Sequence, residues 1–170
     1  MFDSLVLGID PGTGSIGLAV VRRAKTRPEV AWAATLSTPA AAHPEERLHR
    51  IHAVIEEALA EHRPQALAIE RLLWGRNTGS AMNVARASGV VMLAAAQAAV
   101  PVYEYAPLEV KMAVTGSGNA SKEQVRRGLG LMIGDGHVPR QPDAADAVAV
   151  ALCHLQQSPL RRLERAGAAT

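Results

Sequence analysis

The stretch LVLGIDPGTGSIGLAVV, residues 5–21, decides how the rest of the chain is read. An apolar run meets one carboxylate at Asp10, turns through glycines, and leaves as a second apolar run. Val, Ile, Leu and Ala broken by Gly and Pro predict two antiparallel β-strands, 4–10 and 16–22, joined by a hairpin loop over PGTGS. A third run at 29–36, which includes Trp32, extends the meander. On this stretch alone Asp10 has three readings: a metal ligand, part of a phosphate-binding hairpin, or a turn residue ahead of Pro-Gly. Its companions elsewhere in the chain are needed to choose among them.

Outward from the hairpin, HPEERLHRIHAVIEEALAEHRP places Leu48, Ile51, Val54, Ile55 and Leu59 on one helical stripe, with Glu45 and Glu46 at its start and Pro64 at its end. QALAIE is a short buried strand that ends on Glu70, and the polar loop RLLWGRNTGS follows it. Residues 81–98 form an Ala-rich helix containing Gly89, and VPVYEYA is a fifth strand. A helical turn around Lys111 precedes the loop VTGSGNAS. A helix capped by Ser121 follows, with Val125, Leu129 and Met132 facing inward. QPDAADAVAVALCHLQQ is a strongly apolar final helix starting near Asp143, and SPLRRLERAGAAT is expected to be a basic, poorly ordered tail. Strands in a meander followed by alternating helices and strands describe an α/β fold, a five-stranded mixed sheet flanked by helices.

With 170 residues, 48% of them hydrophobic, the chain suits one compact domain over 1–157, with 158–170 as the tail. The lone Cys153 cannot pair within the chain, and no charged-then-apolar leader precedes the first strand; both point to the cytoplasm. No apolar run is long enough to cross a bilayer uninterrupted, so no membrane role is expected. Net charge is only +2, but the cations cluster at 22–27, 71–76, 122–127 and 161–165. That distribution suits a polyanionic partner as well as a set of solvated faces.

Most acidic side chains fall on solvated faces, as Glu56 and Glu57 do. Asp10, Glu70, Asp143 and Asp146 do not. Asp10 and Glu70 each close an apolar strand, while Asp143 and Asp146 interrupt an apolar helix three residues apart, where their oxygens can converge. Taken singly, Asp143 could serve a helix start and Asp10 a turn. Glu70 is harder to explain away, because a charge at the end of a buried strand must be paired, solvated in a cleft or bound to a cation. Converging acids repel unless a divalent ion neutralises them, and all-oxygen ligation favours Mg²⁺ or Mn²⁺ over Zn²⁺. An acidic, cation-loaded site among basic loops suits phosphodiester hydrolysis, in which two cations activate a water and stabilise the leaving oxygen. Lys111 and Lys122 flank the Gly-rich loop, where they could meet the scissile phosphate.

The stretches LGIDPGTGSIGLAVV, LAIERLLWGRNTGSAMNVARASGVV, VYEYAPLEVKMAVTGSGNASKEQV and PDAADAVAVALCH resemble, in content, order and separation, the RuvC-type Holliday junction resolvases over nearly the whole chain. The resemblance implies a ribonuclease H-like fold, a homodimer, and Mg²⁺-dependent symmetric nicking of four-way DNA junctions, with two cations per site and Mn²⁺ as an alternative. It implies that Asp10, Glu70, Asp143 and Asp146 are metal-binding catalytic carboxylates and that Lys111 and Lys122 support cleavage. It also implies RuvA and RuvB as branch-migration partners.

Leu73, Trp74, Arg76 and Asn77, with Lys111, Ser117 and Lys122, are the expected DNA contacts. An aromatic that the family can carry falls at Leu73 here, with Trp74 beside it to stack on a base or to cover the core. The Ala/Gly-rich helix 81–98 is the candidate dimer interface, or else simply buried within the monomer. GIDPGTGSIG also resembles the phosphate hairpin of actin-type and sugar-kinase ATPases. Those proteins clamp nucleotide between two lobes, and no second Asp-Gly-Gly loop occurs here. A non-catalytic junction-binding module is the other alternative, and four retained carboxylates argue against it.

Overall fold

The computed structural model describes residues 3–12, 14–39, 41–71 and 78–167. Its elements follow in the order β1 (Leu5–Pro11), β2 (Ser15–Arg22), β3 (Glu29–Ser37), α1 (Pro44–His62), β4 (Ala66–Glu70), α2 (Thr78–Gln97), β5 (Val102–Tyr105), α3 (Pro107–Thr115), α4 (Lys122–Ile133) and α5 (Pro142–Gly167). One sheet has the strand order β3-β2-β1-β4-β5. The hairpin strands pair antiparallel, and β4 and β5 add in parallel. The meander and the mixed sheet expected from the sequence are both present.

The pleat decides which side chains face which helix, because successive residues of a strand point to opposite faces. On β1 and β4, Leu7, Ile9, Leu67 and Ile69 pack with α1 and α2 on one face. Val6, Ala66 and Ala68 lie on the other, with α5. Continuing the even positions along each strand puts Asp10 and Glu70 on the α5 face. Parity alone therefore delivers two strand-terminal acids to the helix that carries Asp143 and Asp146.

Two glycines let α5 approach closely enough to matter. A Cβ on Gly8 would lie 2.2 Å from the Ala147 carbonyl oxygen, and one on Gly17 would lie 1.8 Å from that of Asp143. Gly17 is directly opposite Asp10 in the hairpin register. The missing side chain thus seats the first turn of α5 beside Asp10.

Three expectations are corrected. Residues 158–167 are not a loose tail: α5 runs through Pro159 to Gly167. Proline removes the N–H that would bond the carbonyl four residues back, here that of Leu155, and the Arg23 guanidinium donates to that carbonyl instead. On α4 the fully inward residues are Val125, Leu129 and Ile133, with Met132 only partly buried. α2 starts at Thr78 rather than Ala81. The Ser121 cap holds, accepting a bond from the Gln124 N–H at 3.2 Å.

Candidate active site

Asp10, Glu70 and Asp146 line one cleft of about 280 Å³, together with Lys111 and Lys122. β1 supplies Asp10, β4 Glu70, α5 Asp146, α3 Lys111 and the start of α4 Lys122. Pro107, Val110, Val125 and Ala149 form an apolar floor beneath the charges. Asp143 does not line this cleft, although its charge acts on both Asp10 and Asp146. It lies in the first turn of α5 but does not cap it; its carboxylate accepts the Ser15 hydroxyl at 2.5 Å.

The electrostatics agree that these groups share one site. Burial first, then Glu70, Asp146 and Asp143, raise Asp10 from 3.8 to about 7 against a downward pull from Lys122. Glu70 is raised by burial and by Asp146, against Lys111 and Lys122. Asp146 is raised by burial and Asp143, against Lys122. Each carboxylate feels another, and both lysines partly offset the repulsion.

Among the described residues, no three ligating side chains already meet at one point; the acids border a shared cleft. Their donor set is nevertheless all oxygen, half-buried and mutually repelling, which is the chemistry that a hard divalent cation satisfies. Asp10, Glu70 and Asp146 would hold such an ion, with Asp143 beside them.

The expected DNA contacts divide. Lys111 and Lys122 reach the carboxylate cleft. Ser117 lies in a neighbouring hollow between α3 and α4, with Thr115, Gln124 and Arg127. Leu73, Trp74, Arg76 and Asn77 lie outside the described residues.

Two features escaped the sequence reading. A buried relay joins Tyr105 Oη to His154 Nδ1 at 2.7 Å and His154 Nε2 to Asp3 at 2.9 Å. Arg161 meets Glu109 at 2.5 Å. A histidine inside the apolar run AVALCHL was the available signal for the first; nothing in the spacing announced the second.

The family model described as crossover junction endodeoxyribonuclease RuvC matches residues 6–154. The chain belongs to the RuvC family. A RuvC of Moorella thermoacetica is 42% identical over 161 residues, 95% of this chain and 96% of the relative. A RuvC of Desulfitobacterium hafniense is 43% identical over 150 residues, 88% of this chain and 91% of that one. Among solved structures, T. thermophilus RuvC in complex with a Holliday junction superposes with a TM-score of 0.86 at 37% identity, covering 92% of this chain and 96% of that one. The yeast mitochondrial Holliday junction resolvase, at 14% identity and a TM-score of 0.67 over 92% of this chain and 80% of that one, shares the fold. The RuvC match spans both acidic strand ends and both aspartates of α5. The two-lobed ATPase reading of the hairpin has no support in this assignment.

Proposed function

We propose that this protein is a structure-selective DNA endonuclease that resolves four-way junctions in recombination and repair by paired symmetric nicks. The observation that carries the reading is the meeting of Asp10, Glu70 and Asp146 in one cleft walled by Lys111 and Lys122. A T. thermophilus RuvC that aligns over 92% of this chain is described in complex with a Holliday junction substrate. No helix among the described residues is long and apolar enough to cross a membrane. The same reading makes the cytoplasm its compartment and a RuvA–RuvB branch-migration complex its partner.

The chain's own residues divide the work. Asp10, Glu70 and Asp146, which line the cleft, would hold the cations, and the Ser15 hydroxyl orients Asp143 beside them. When bound, two Mg²⁺ ions, or Mn²⁺ in their place, supply Lewis-acid charge and lower the pKa of a water. Lys111 and Lys122 offset the charge of the scissile phosphate and of its flanking backbone. The loop residues Leu73, Trp74, Arg76 and Asn77, with Ser117, contact the junction; base stacking on an aromatic such as Trp74 is worth roughly 1–3 kcal/mol.

Paired nicks on a two-fold symmetric substrate call for two sites related by a two-fold axis. Met82, Arg86, Gly89 and Leu93 recur along α2 at the four- and three-residue spacing of one helix face and are all exposed. A Cβ on Gly89 would meet nothing within 4 Å, so the protomer's own packing does not require glycine there. This stripe is the proposed homodimer contact; the opposite stripe of α2, with Ala87, Val91, Ala94 and Ala95, is buried in the protomer.

The test is incubation with a labelled synthetic four-way junction and its linear duplex arms, with and without Mg²⁺ or Mn²⁺. Metal-dependent nicks at equivalent positions on two opposing strands of the junction alone are expected. Equal cutting of the linear duplex, or none of the junction in either metal, would overturn the reading.

A further inference from the structure

The C-terminal part of α5 reaches back into the frame of the cleft. Arg161 Nη2 donates to Glu109 Oε1 at 2.5 Å, and its guanidinium lies 5.1 Å from the centre of the Tyr105 ring. Each partner leads to the site in one short step. The other oxygen of Glu109, Oε2, accepts the Ala106 backbone N–H at 2.7 Å, fixing the first turn of the helix that carries Lys111 two residues later. Tyr105 is the register partner of Glu70, and its carbonyl accepts the N–H of Arg71, the residue after Glu70, at 2.7 Å. The hydroxyl end of Tyr105 is tied to His154 and through it to Asp3. The ring is thus held at one end by a buried relay and covered by a cation.

From this geometry we infer that Arg161 is a positioning residue, which clamps α3 through Glu109 and the end of β5 through Tyr105 so that Lys111 faces Glu70 across the cleft. The inference rests on the nuclease reading given above. A purely stabilising role is a poor fit to the same contacts. The Arg161 and Glu109 side chains are 27% and 31% exposed, and ion pairs left that open to water contribute little to stability. What a two-pronged contact of this kind can fix is geometry, since a planar guanidinium holds its partners in a defined orientation. Small displacements of a catalytic group cost far more in rate than in folding.

The test is a double-mutant cycle read by single-turnover cleavage of a saturating four-way junction in Mg²⁺, with junction affinity measured in EDTA. Arg161→Ala should slow cleavage roughly tenfold, with affinity and melting temperature nearly unchanged. In a Lys111→Ala background the same change should cost less than about twofold, because Arg161 acts through Lys111. Arg161→Lys should recover part of the loss. Glu109→Gln removes the charge while keeping an oxygen for the Ala106 N–H, and should reproduce the same non-additivity even where Arg161→Ala folds poorly. Equal losses in both backgrounds, or full activity in folded Arg161→Ala, would overturn the positioning role. Wild-type protein that cuts no junction would overturn the nuclease reading itself, a distinguishable failure.

Discussion

Replacing Asp10 by Asn should separate folding from chemistry in opposite directions. In metal-free protein the Asp10 carboxyl is held near 7 instead of 3.8, first by burial and then by Glu70, Asp146 and Asp143. A group whose folded value is raised supports folding through its protonated form. That contribution is complete below the ordinary value and is lost as pH rises through about 7. The rise of about three pH units, at 1.36 kcal/mol each, sets an upper bound of about 4 kcal/mol on the cost of ionising Asp10. Relaxation and water at the open mouth of the cleft reduce this to about 2–4 kcal/mol. Asn, which carries no charge, escapes the cost. In EDTA at pH 8, Asp10→Asn should therefore melt about 5–15 °C above wild type, at 2–4 °C per kcal/mol for a chain of this size. At pH 5, between the two values, the unfolded chain ionises Asp10 while the folded one keeps it protonated, and the gap should shrink to under half of its size at pH 8. Thermal denaturation by circular dichroism at the two pH values measures this directly. In Mg²⁺ the same variant should cut junctions more than about 10²-fold more slowly, exceeding the loss from removing mere outer-shell partners, yet bind them undiminished. A stability change of the same size at both pH values, or a less stable variant at pH 8, would refute the claim that Asp10 is an uncompensated member of an acidic cluster.

Other consequences follow from the packing. Gly17→Ala puts a methyl 1.8 Å from the Asp143 carbonyl oxygen; overpacking against backbone should cost about 3 kcal/mol, visible as a lower urea midpoint. Lys122→Ala should weaken cleavage and reduce the slope of log affinity against log salt by about one; an unchanged rate and slope would make it surface only. Leu93→Asp on the exposed stripe of α2 should yield monomers in sedimentation, with cleavage lost and the melting temperature of the protomer retained; an unaltered oligomeric state would remove α2 from the interface.

Much of the fold was legible because it is written at short range. The alternation that sends Val6, Gly8 and Asp10 to one face of β1, and Ala66, Ala68 and Glu70 to one face of β4, is a two-residue period that can be read from the chain. The spacing of Asp143 and Asp146 is likewise local. What was illegible depends on partners distant in sequence. Pro159 ordinarily stops a helix, and the guanidinium of Arg23, from the residue just after β2, satisfies the carbonyl that proline leaves open. Ser15 looks like any loop residue until α5 brings Asp143 to its hydroxyl. His154 sits in an apolar helix run, and its roles are set by Asp3 and Tyr105, 151 and 49 positions away. Arg161 belonged to a basic segment that composition alone describes as a tail. Strand parity can be read from one element; closure of a side-chain pair needs two.

The central claim is that four carboxylates separated by more than a hundred residues serve one cation site. Anomalous diffraction from crystals grown in Mn²⁺ tests it most directly. The account predicts strong peaks in the cleft within about 2–2.5 Å of oxygens from Asp10, Glu70 and Asp146, with Asp143 bordering them, and their loss in Asp10→Asn. Mn²⁺ bound elsewhere, or a cleft without anomalous density at saturating metal, would contradict it.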